Sequence, residues 1–252
     1  VVHASGLQIT IGSNPGEIII RFAIEPWKDM QGKIRTKRLI VQCSILKSDL
    51  DLWKIEIQPF KIVNLSILPY DTPFKAELLE VLDADEYPDK SLRSLARKSQ
   101  KNAKYVESFG YLQMDPVYKK YNTEVLINNE LVRLYFFHGN KPIEQGEYDY
   151  FNSTVEACKK FIENKTKIES KIRYSASKFS LSVINQLREQ CNLSKLSVRD
   201  IYNEISLQNM FIYYDSRYTF NYLDGGLLGG HQIQVSGKLN RKPDFFYFIR
   251  RK

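Results

Sequence analysis

The feature that most restricts the fold is a glycine-rich stretch at residues 224–230, with the sequence DGGLLGG. Four of the twelve glycines lie there in six consecutive positions, between an aromatic run at 218–222 and the alternating segment 231–235. Glycine permits positive φ angles and close approach of neighbouring backbone. The stretch therefore predicts a tight connection between two strands. It does not match a nucleotide-binding loop, because its spacing differs from Gly-x-Gly-x-x-Gly and a strand, not a helix, follows it.

The first 82 residues predict a mostly-β domain. Five segments with alternating or β-branched residues are separated by turn residues and prolines, a pattern typical of a small antiparallel sheet. These segments lie at 7–11, 17–24, 38–46, 53–58 and 62–68. Residues 74–82 carry apolar side chains at helical spacing and predict a helix at the end of this domain.

Residues 83–108 change in composition and predict a helical linker. An acidic run at 83–89 precedes basic residues interleaved with Leu92, Leu95 and Ala96, an order that suits the helix dipole. Two interpretations remain open, a helix that binds nucleic acid or a membrane surface and a solvated linker. The cations concerned are Arg93, Arg97, Lys98, Lys101 and Lys104.

Residues 109–252 predict a second domain that begins with three strands. They lie at 109–114, 120–127 and 131–137, and Asn128-Asn129 is suited to a hairpin turn between the last two. From residue 151 the period of the apolar residues changes to that of a helix, and this period continues to residue 172.

Asn152 or Ser153 can cap the first predicted helix, and Ser197 can cap the third. The second predicted helix spans 178–190, and the third ends near 205. Three strands follow, at 211–214, 218–222 and 231–235. The order β-β-β-α-α-α-β-β-β predicts an α+β domain with helices on one face of an antiparallel sheet.

The C-terminal part also resembles a known family. Asp224, Gly225, Gly230 and the segment 231–237 are similar to the Asp-Gly-x-x-x-x-Gly-His-x-Ile-x-Val-x-Gly signature of an uncharacterised bacterial domain-of-unknown-function family, and 109–115 resembles its opening strand. The chain departs from the common pattern at Gly226, Leu228 and Gly229. The resemblance covers about residues 108–240. It implies membership of that family, which has no established activity to assign to this chain.

Composition limits the possible partners and compartments. The formal charge is +8, which makes nucleic acid, an acidic protein or an anionic membrane surface plausible partners, and a solvated basic surface is the alternative. Six basic residues lie in the last fifteen positions, at Lys238, Arg241, Lys242, Arg250, Arg251 and Lys252. Three widely spaced cysteines favour reduced thiols and a cytoplasmic protein, and no apolar run is long enough to span a bilayer.

His231 and Asp224 are the candidate catalytic residues. Of the three histidines, His138 and His231 each lie at the end of a predicted strand, and Asp224 can approach His231 across the glycine turn. Such a pair can act as a general base. A structural imidazole bonded to turn backbone explains the same residues. No set of spaced ligands predicts a metal site, and no cofactor is expected.

Tyrosine is abundant, with sixteen residues, and it clusters near the C-terminal strands. Aromatic rings with a polar tip are suited to protein interfaces, although they are also ordinary strand residues. The candidate protein-binding residues are Tyr213, Tyr214, Tyr218 and Tyr222.

Three functions follow as hypotheses. The first is a protein-binding module, such as an immunity-type or antitoxin-like protein, by fold-level analogy. The second is nucleic-acid binding through the linker helix and the basic C-terminus. The third is an enzyme that uses His231 and Asp224. The identity of the partner and the oligomeric state do not follow from the sequence.

Overall fold

The fold is known from a computed structural model that describes residues 1–70, 75–83, 89–115, 117–137 and 148–249. Contacts divide the chain into two compact units, Val1–Leu131 and Val132–Lys252. Both strands and helices are abundant, and the predicted α+β class is confirmed. The predicted domain boundaries at 83 and 109 stay a prediction.

The first unit is mainly built from strands. Its helices are α1 (Leu50–Glu56), which follows a short 3-10 turn at Lys47–Asp49, and α2 (Lys90–Lys101). Its strands are β1 (Gln8–Ile11), β2 (Glu17–Ile24), β3 (Trp27–Lys28), β4 (Ile34–Arg35), β5 (Leu39–Leu46), β6 (Asn64–Pro69), β7 (Lys75–Asp83), β8 (Lys104–Val106), β9 (Gly110–Met114) and β10 (Tyr121–Ile127).

A five-stranded sheet in the order β1-β2-β5-β7-β6 organises this unit. Its neighbours are antiparallel except for β5 and β7, which run parallel. Phe22, Val41 and Ala76 are fully buried on one face of the sheet, and the half-buried Trp53 of α1 packs against the same core. Three strands at the end of the unit, β8, β9 and β10, pair antiparallel in sequence.

Two predictions for this unit were wrong. Residues 53–58 were predicted as a strand, but residues 53–56 belong to α1. The segment is helical because Trp53 and Ile57, four residues apart, both pack into the core while Ile55 is exposed. Residues 74–82 were predicted as a helix, but β7 occupies 75–83. Pairing with β5 and β6 overrides the local apolar period, which cannot distinguish a short helix from a strand.

The second unit combines a sheet with three helices. The helices are α3 (Tyr148–Glu163), α4 (Lys165–Gln190) and α5 (Val198–Glu204). The strands are β11 (Glu130–Phe137), which starts two residues before the unit boundary, β12 (Ser206–Tyr213), β13 (Arg217–Leu223), β14 (Gln232–Lys238) and β15 (Phe245–Ile249). Asn128 and Asn129, which precede β11, have φ angles of 48° and 64°, as the predicted two-residue turn requires.

These strands lie in the order β15-β14-β13-β12-β11. They are antiparallel neighbours except for β11 and β12, which are parallel, so this sheet is mixed. The helices contact one face: Phe161 of α3 meets Phe220 of β13 edge-on at 5.6 Å, and Phe179 of α4 stacks on Phe246 of β15 at 4.8 Å. The core of the unit lies between this face and the helices.

The bounds of helices α3 and α4 differ from those predicted. The predicted first helix crosses Asn164, where α3 ends and α4 begins, and α4 then runs unbroken to Gln190. The six-residue step from Ile162 to Ile168 in the apolar pattern marks this break. α3 begins before Asn152 and Ser153, so neither of them caps it. The predicted Ser197 cap is confirmed, with a reciprocal bond pair between Ser197 and Asp200.

Strand β15 has no counterpart among the predicted strands. Its residues alternate between exposed and half-buried, and Phe246 and Phe248 face α4. Within the described part of the chain, no helix has the length and apolar character needed to cross a membrane.

Candidate functional site

The glycine stretch folds around the carboxylate of Asp224. This side chain is 3% exposed. Its Oδ1 accepts a hydrogen bond from the Gly226 N–H at 3.0 Å, and its Oδ2 accepts bonds from the N–H groups of Leu228 at 2.7 Å and Gly230 at 3.0 Å. Gly225, Gly226, Gly229 and Gly230 all have positive φ. The loop therefore uses its glycines to aim three backbone donors at one buried carboxylate.

His231 is half-buried and bonds to the same loop in another way. Its Nδ1 contacts the carbonyl oxygen of Leu228, so the proton of a neutral ring sits on Nδ1 and Nε2 carries the lone pair. No hydrogen bond joins His231 to Asp224 among the residues that the structure describes. Both candidate catalytic residues are thus engaged with loop backbone, the geometry of a structural turn. His138 lies outside the described residues.

Gly225 and Gly226 offer a matched pair of substitutions. A Cβ on Gly225, at φ +60°, would lie 2.6 Å from the Glu204 carbonyl oxygen, whereas a Cβ on Gly226, at φ +86°, would meet nothing within 4 Å. We expect Gly225→Ala to lower the free energy of unfolding by about 3 kcal/mol through strain and a backbone clash, and Gly226→Ala by about 1–2 kcal/mol through strain alone.

Chemical denaturation of the two glycine variants and the wild-type protein measures this difference. Equal losses would contradict the close packing of Gly225 against α5.

The four candidate tyrosines separate into two pairs. Tyr218 and Tyr222 are 1% and 0% exposed, because their positions on β13 point to the helices. They therefore cannot contribute to an exposed binding face. Tyr213 is half-buried and Tyr214 is 38% exposed. Tyr214 lies 4.6 Å from the ring of Tyr150, which is also exposed.

Tyr222 adjoins a charged pair inside the second unit. Glu169 and Arg173 of α4 form a buried ion pair at 2.6 Å. Burial, followed by the charge of Glu169, raises the pKa of Tyr222 well above its ordinary value. Burial and Asp244 also raise the pKa of Tyr218. Both hydroxyls consequently stay protonated and neutral in the core.

A groove of about 1050 Å³ lies between α4 and the β14–β15 loop, residues 239–244. We call it the basic groove, because five of the residues that line it are cationic. They are Lys160, Lys167, Lys171, Arg241 and Lys242. Glu163 is the one carboxylate among the described residues that line it.

Two elements fix the walls of the basic groove. α4 buries Ile172, Ala176, Ser180 and Ile184 at four-residue intervals against the rest of the unit, which leaves Lys167 and Lys171 on its outer side. The facing loop is held by backbone hydrogen bonds. The Leu239 N–H donates to the Ser216 oxygen at 3.1 Å, and the Asp244 N–H donates to the Ser236 oxygen at 2.8 Å.

The cations of the groove are exposed, and none of the five forms an ion pair within the described segments. The sequence singled out Arg241 and Lys242 as part of the basic C-terminus, but it gave no reason to join them to Lys160, Lys167 and Lys171. The four-residue spacing of Lys167 and Lys171 was the available signal.

Comparison with known proteins matches residues 106–245 to a family described as "Uncharacterized protein conserved in bacteria (DUF2262)". The chain belongs to the DUF2262 family. The expected membership of an uncharacterised bacterial family is confirmed, while the signature residues themselves stay a prediction. No curated protein and no solved structure matches the chain.

The DUF2262 match contains both the glycine loop and all five cations of the basic groove. Helix α2, at Lys90–Lys101, lies outside it. Among the described residues, no group of three or more His, Cys, Asp or Glu is arranged to hold a metal ion.

Helix α2 belongs to the first unit of this DUF2262 protein. Asp89 caps it by accepting from the N–H groups of Ser91 and Leu92. The bond from Lys28 at 2.6 Å, together with these caps, holds the pKa of Asp89 well below its usual range. On the inner side, Leu92 and Ala96 pack into a small cluster.

The predicted cations of α2 have different environments. Arg93, Arg97, Lys98 and Lys101 are exposed, whereas Lys104 is half-buried in β8, where desolvation lowers its pKa. The helix therefore presents four of the five predicted cations to solvent, and none of them is among the residues that line the basic groove. It serves as a charge-matched comparison for the basic groove.

Proposed function

We propose that this DUF2262 protein binds nucleic acid through its sugar–phosphate backbone in the basic groove. The observation that carries the proposal is the convergence of five exposed cations, without ion-pair partners in the described chain, on one concave surface. Clefts lined by one sign of charge concentrate ligands of the opposite sign. Phosphate contacts from Lys and Arg supply most of the affinity of non-specific nucleic-acid binding.

The layout of the cations favours a repeating anion over a single one. Lys167 and Lys171 are one helical turn apart, a rise of about 6 Å along α4. Arg241 and Lys242 face them from the β14–β15 loop. A groove of about 1050 Å³ is at the upper end of the size range of small-molecule pockets, and it is partly open to solvent. These features suit a strand that carries several phosphates.

Salt dependence tests this proposal on the wild-type protein. We expect the logarithm of the binding constant for a fluorescent oligonucleotide to fall linearly with the logarithm of salt concentration. The slope should be about −3, from four or five phosphate contacts at roughly 0.7 each. Fluorescence anisotropy between about 50 and 200 mM KCl measures it. Absence of binding at the lowest salt, or a flat salt dependence, would overturn the proposal.

Protein binding is a second proposal, in the form of an immunity-type or antitoxin-like module. The exposed Tyr150–Tyr214 pair favours it, since aromatic residues with polar tips are frequent at interface centres. A stoichiometric protein partner that is retained at high salt after nuclease treatment, and lost on Tyr214→Ser, would support it. We prefer nucleic-acid binding in the basic groove, because the groove brings together five side chains of one charge whereas the tyrosine pair has two members.

A further inference from the structure

One aromatic side chain stands among the cations of the basic groove. Tyr174 of α4 lies three residues after Lys171 and seven after Lys167, so the three share one stripe of the helix. It is 56% exposed. Within the described segments its ring stacks on no other aromatic ring, and its hydroxyl forms no hydrogen bond. A large flat side chain therefore lies at the groove surface, more than half exposed, and its ring stacks on no other aromatic ring of the described residues.

Apolar side chains lie beneath the charged rim. Ile168 and Ile172 come from α4, and Leu239 and Pro243 come from the facing loop. Three of them are half-buried, and Ile172 is 4% exposed. The groove thus combines cations at its edges with an apolar floor beside Tyr174. Phosphates alone would leave that floor and the Tyr174 ring in contact with water.

We propose that the basic groove selects single-stranded nucleic acid, with an unpaired base stacked on Tyr174 and the backbone phosphates on the surrounding Lys and Arg side chains. This inference rests on the proposed function and adds the ligand class to it. Stacking platforms flanked by cations are the usual means of binding single strands without sequence preference, because every base has a π face.

A duplex cannot make the same contacts. Its bases are stacked and paired inside the helix, so only their edges reach a protein surface, and insertion into the groove would require unstacking. A duplex would still contact the cations. The single strand should therefore bind more tightly than a duplex of equal length, and the difference should come from the bases.

An abasic strand separates the contribution of the base from that of the phosphates. We expect the wild-type protein to bind a single strand of about 16 nucleotides roughly tenfold more tightly than either a duplex or a strand with abasic sites at the central positions. Tyr174→Leu should remove this preference while the affinity for duplex and the salt slope are unchanged. Tyr174→Phe should retain the preference, because it retains the π face.

The outcomes distinguish failure of this inference from failure of the proposed function. Equal binding of single strand, duplex and abasic strand, with the salt slope intact, would overturn base stacking but leave phosphate binding standing. Binding of none of them would overturn both. Polyglutamate bound as tightly as the single strand would point to an acidic polypeptide and overturn the nucleic-acid assignment. Thermal unfolding of each variant confirms that it is folded, as expected for an exposed position.

Discussion

Simultaneous replacement of Lys167, Lys171, Arg241 and Lys242 by glutamine is expected to lower oligonucleotide affinity at least about thirtyfold at low salt, and to make the salt slope less negative by about 3. The reason is counterion release. Each lost phosphate contact leaves more counterions bound to the nucleic acid, so both the affinity and its salt dependence decrease. Anisotropy titrations of wild type and variant at several salt concentrations measure both quantities.

Helix α2 supplies a control with the same change in charge. Replacement of Arg93, Arg97, Lys98 and Lys101 by glutamine also removes four exposed positive charges, but from side chains that do not line the basic groove. We expect this variant to lose less than about threefold in affinity, because all the cations that line the basic groove, and with them the proposed phosphate contacts, are retained. The opposite result, with α2 dominant, would transfer the binding site to the helix that the sequence predicts.

All eight substituted side chains are exposed, so neither variant should be impaired in folding. Similar melting temperatures for wild type and both variants are therefore expected. Equal losses of affinity in the two variants would show that net charge alone attracts the nucleic acid, and would contradict a specific groove.

Asp224→Ala is expected to lower the free energy of unfolding by about 3–5 kcal/mol. The substitution leaves the N–H groups of Gly226, Leu228 and Gly230 without their acceptor, and a buried donor without a partner costs about 1–3 kcal/mol. Four residues at positive φ would also lose the group that holds the loop closed. Denaturant unfolding followed by circular dichroism measures the loss.

Two further variants decide between a structural and a catalytic Asp224. Asp224→Asn keeps one acceptor oxygen and should lose about half as much stability as the alanine variant. His231→Ala should lose less than about 1 kcal/mol, since its ring is half-buried and its Nδ1 bonds to a single backbone carbonyl. If Asp224→Ala instead has wild-type stability, the carboxylate is free to serve another purpose, and the enzyme hypothesis regains support.

The sequence predicted local features where neighbouring residues decide the backbone. The turn at Asn128-Asn129 and the cap at Ser197 formed as expected, because each depends on a φ preference or a bond within three residues. The predictions failed where partners distant in sequence decide. Residues 75–83 form a strand because β5 and β6 flank them, and residues 53–56 form a helical turn because Trp53 and Ile57 enter the core together.

The candidate sites show the same difference between what neighbouring residues decide and what distant partners decide. The sequence identified Asp224 and the glycines as a connected unit, and it also placed Arg241 and Lys242 in a basic terminal segment. It could not choose which tyrosines of the C-terminal strands and their turns are covered by the helices, since alternation predicts two faces without saying which one is covered. The structure put Tyr218 and Tyr222 inside and left Tyr214 outside.

The amino-acid sequence by itself determined the α+β class, the family and the tight glycine connection before the His231 strand, because composition, periodicity and turn preferences are properties of adjacent residues. Tertiary structure alone decided the basic groove. Its walls come from α4 and from a loop about seventy residues later in the chain. The packing of α4 on the sheet brings Lys167, Lys171 and Tyr174 opposite Arg241 and Lys242. No local sequence pattern encodes this arrangement.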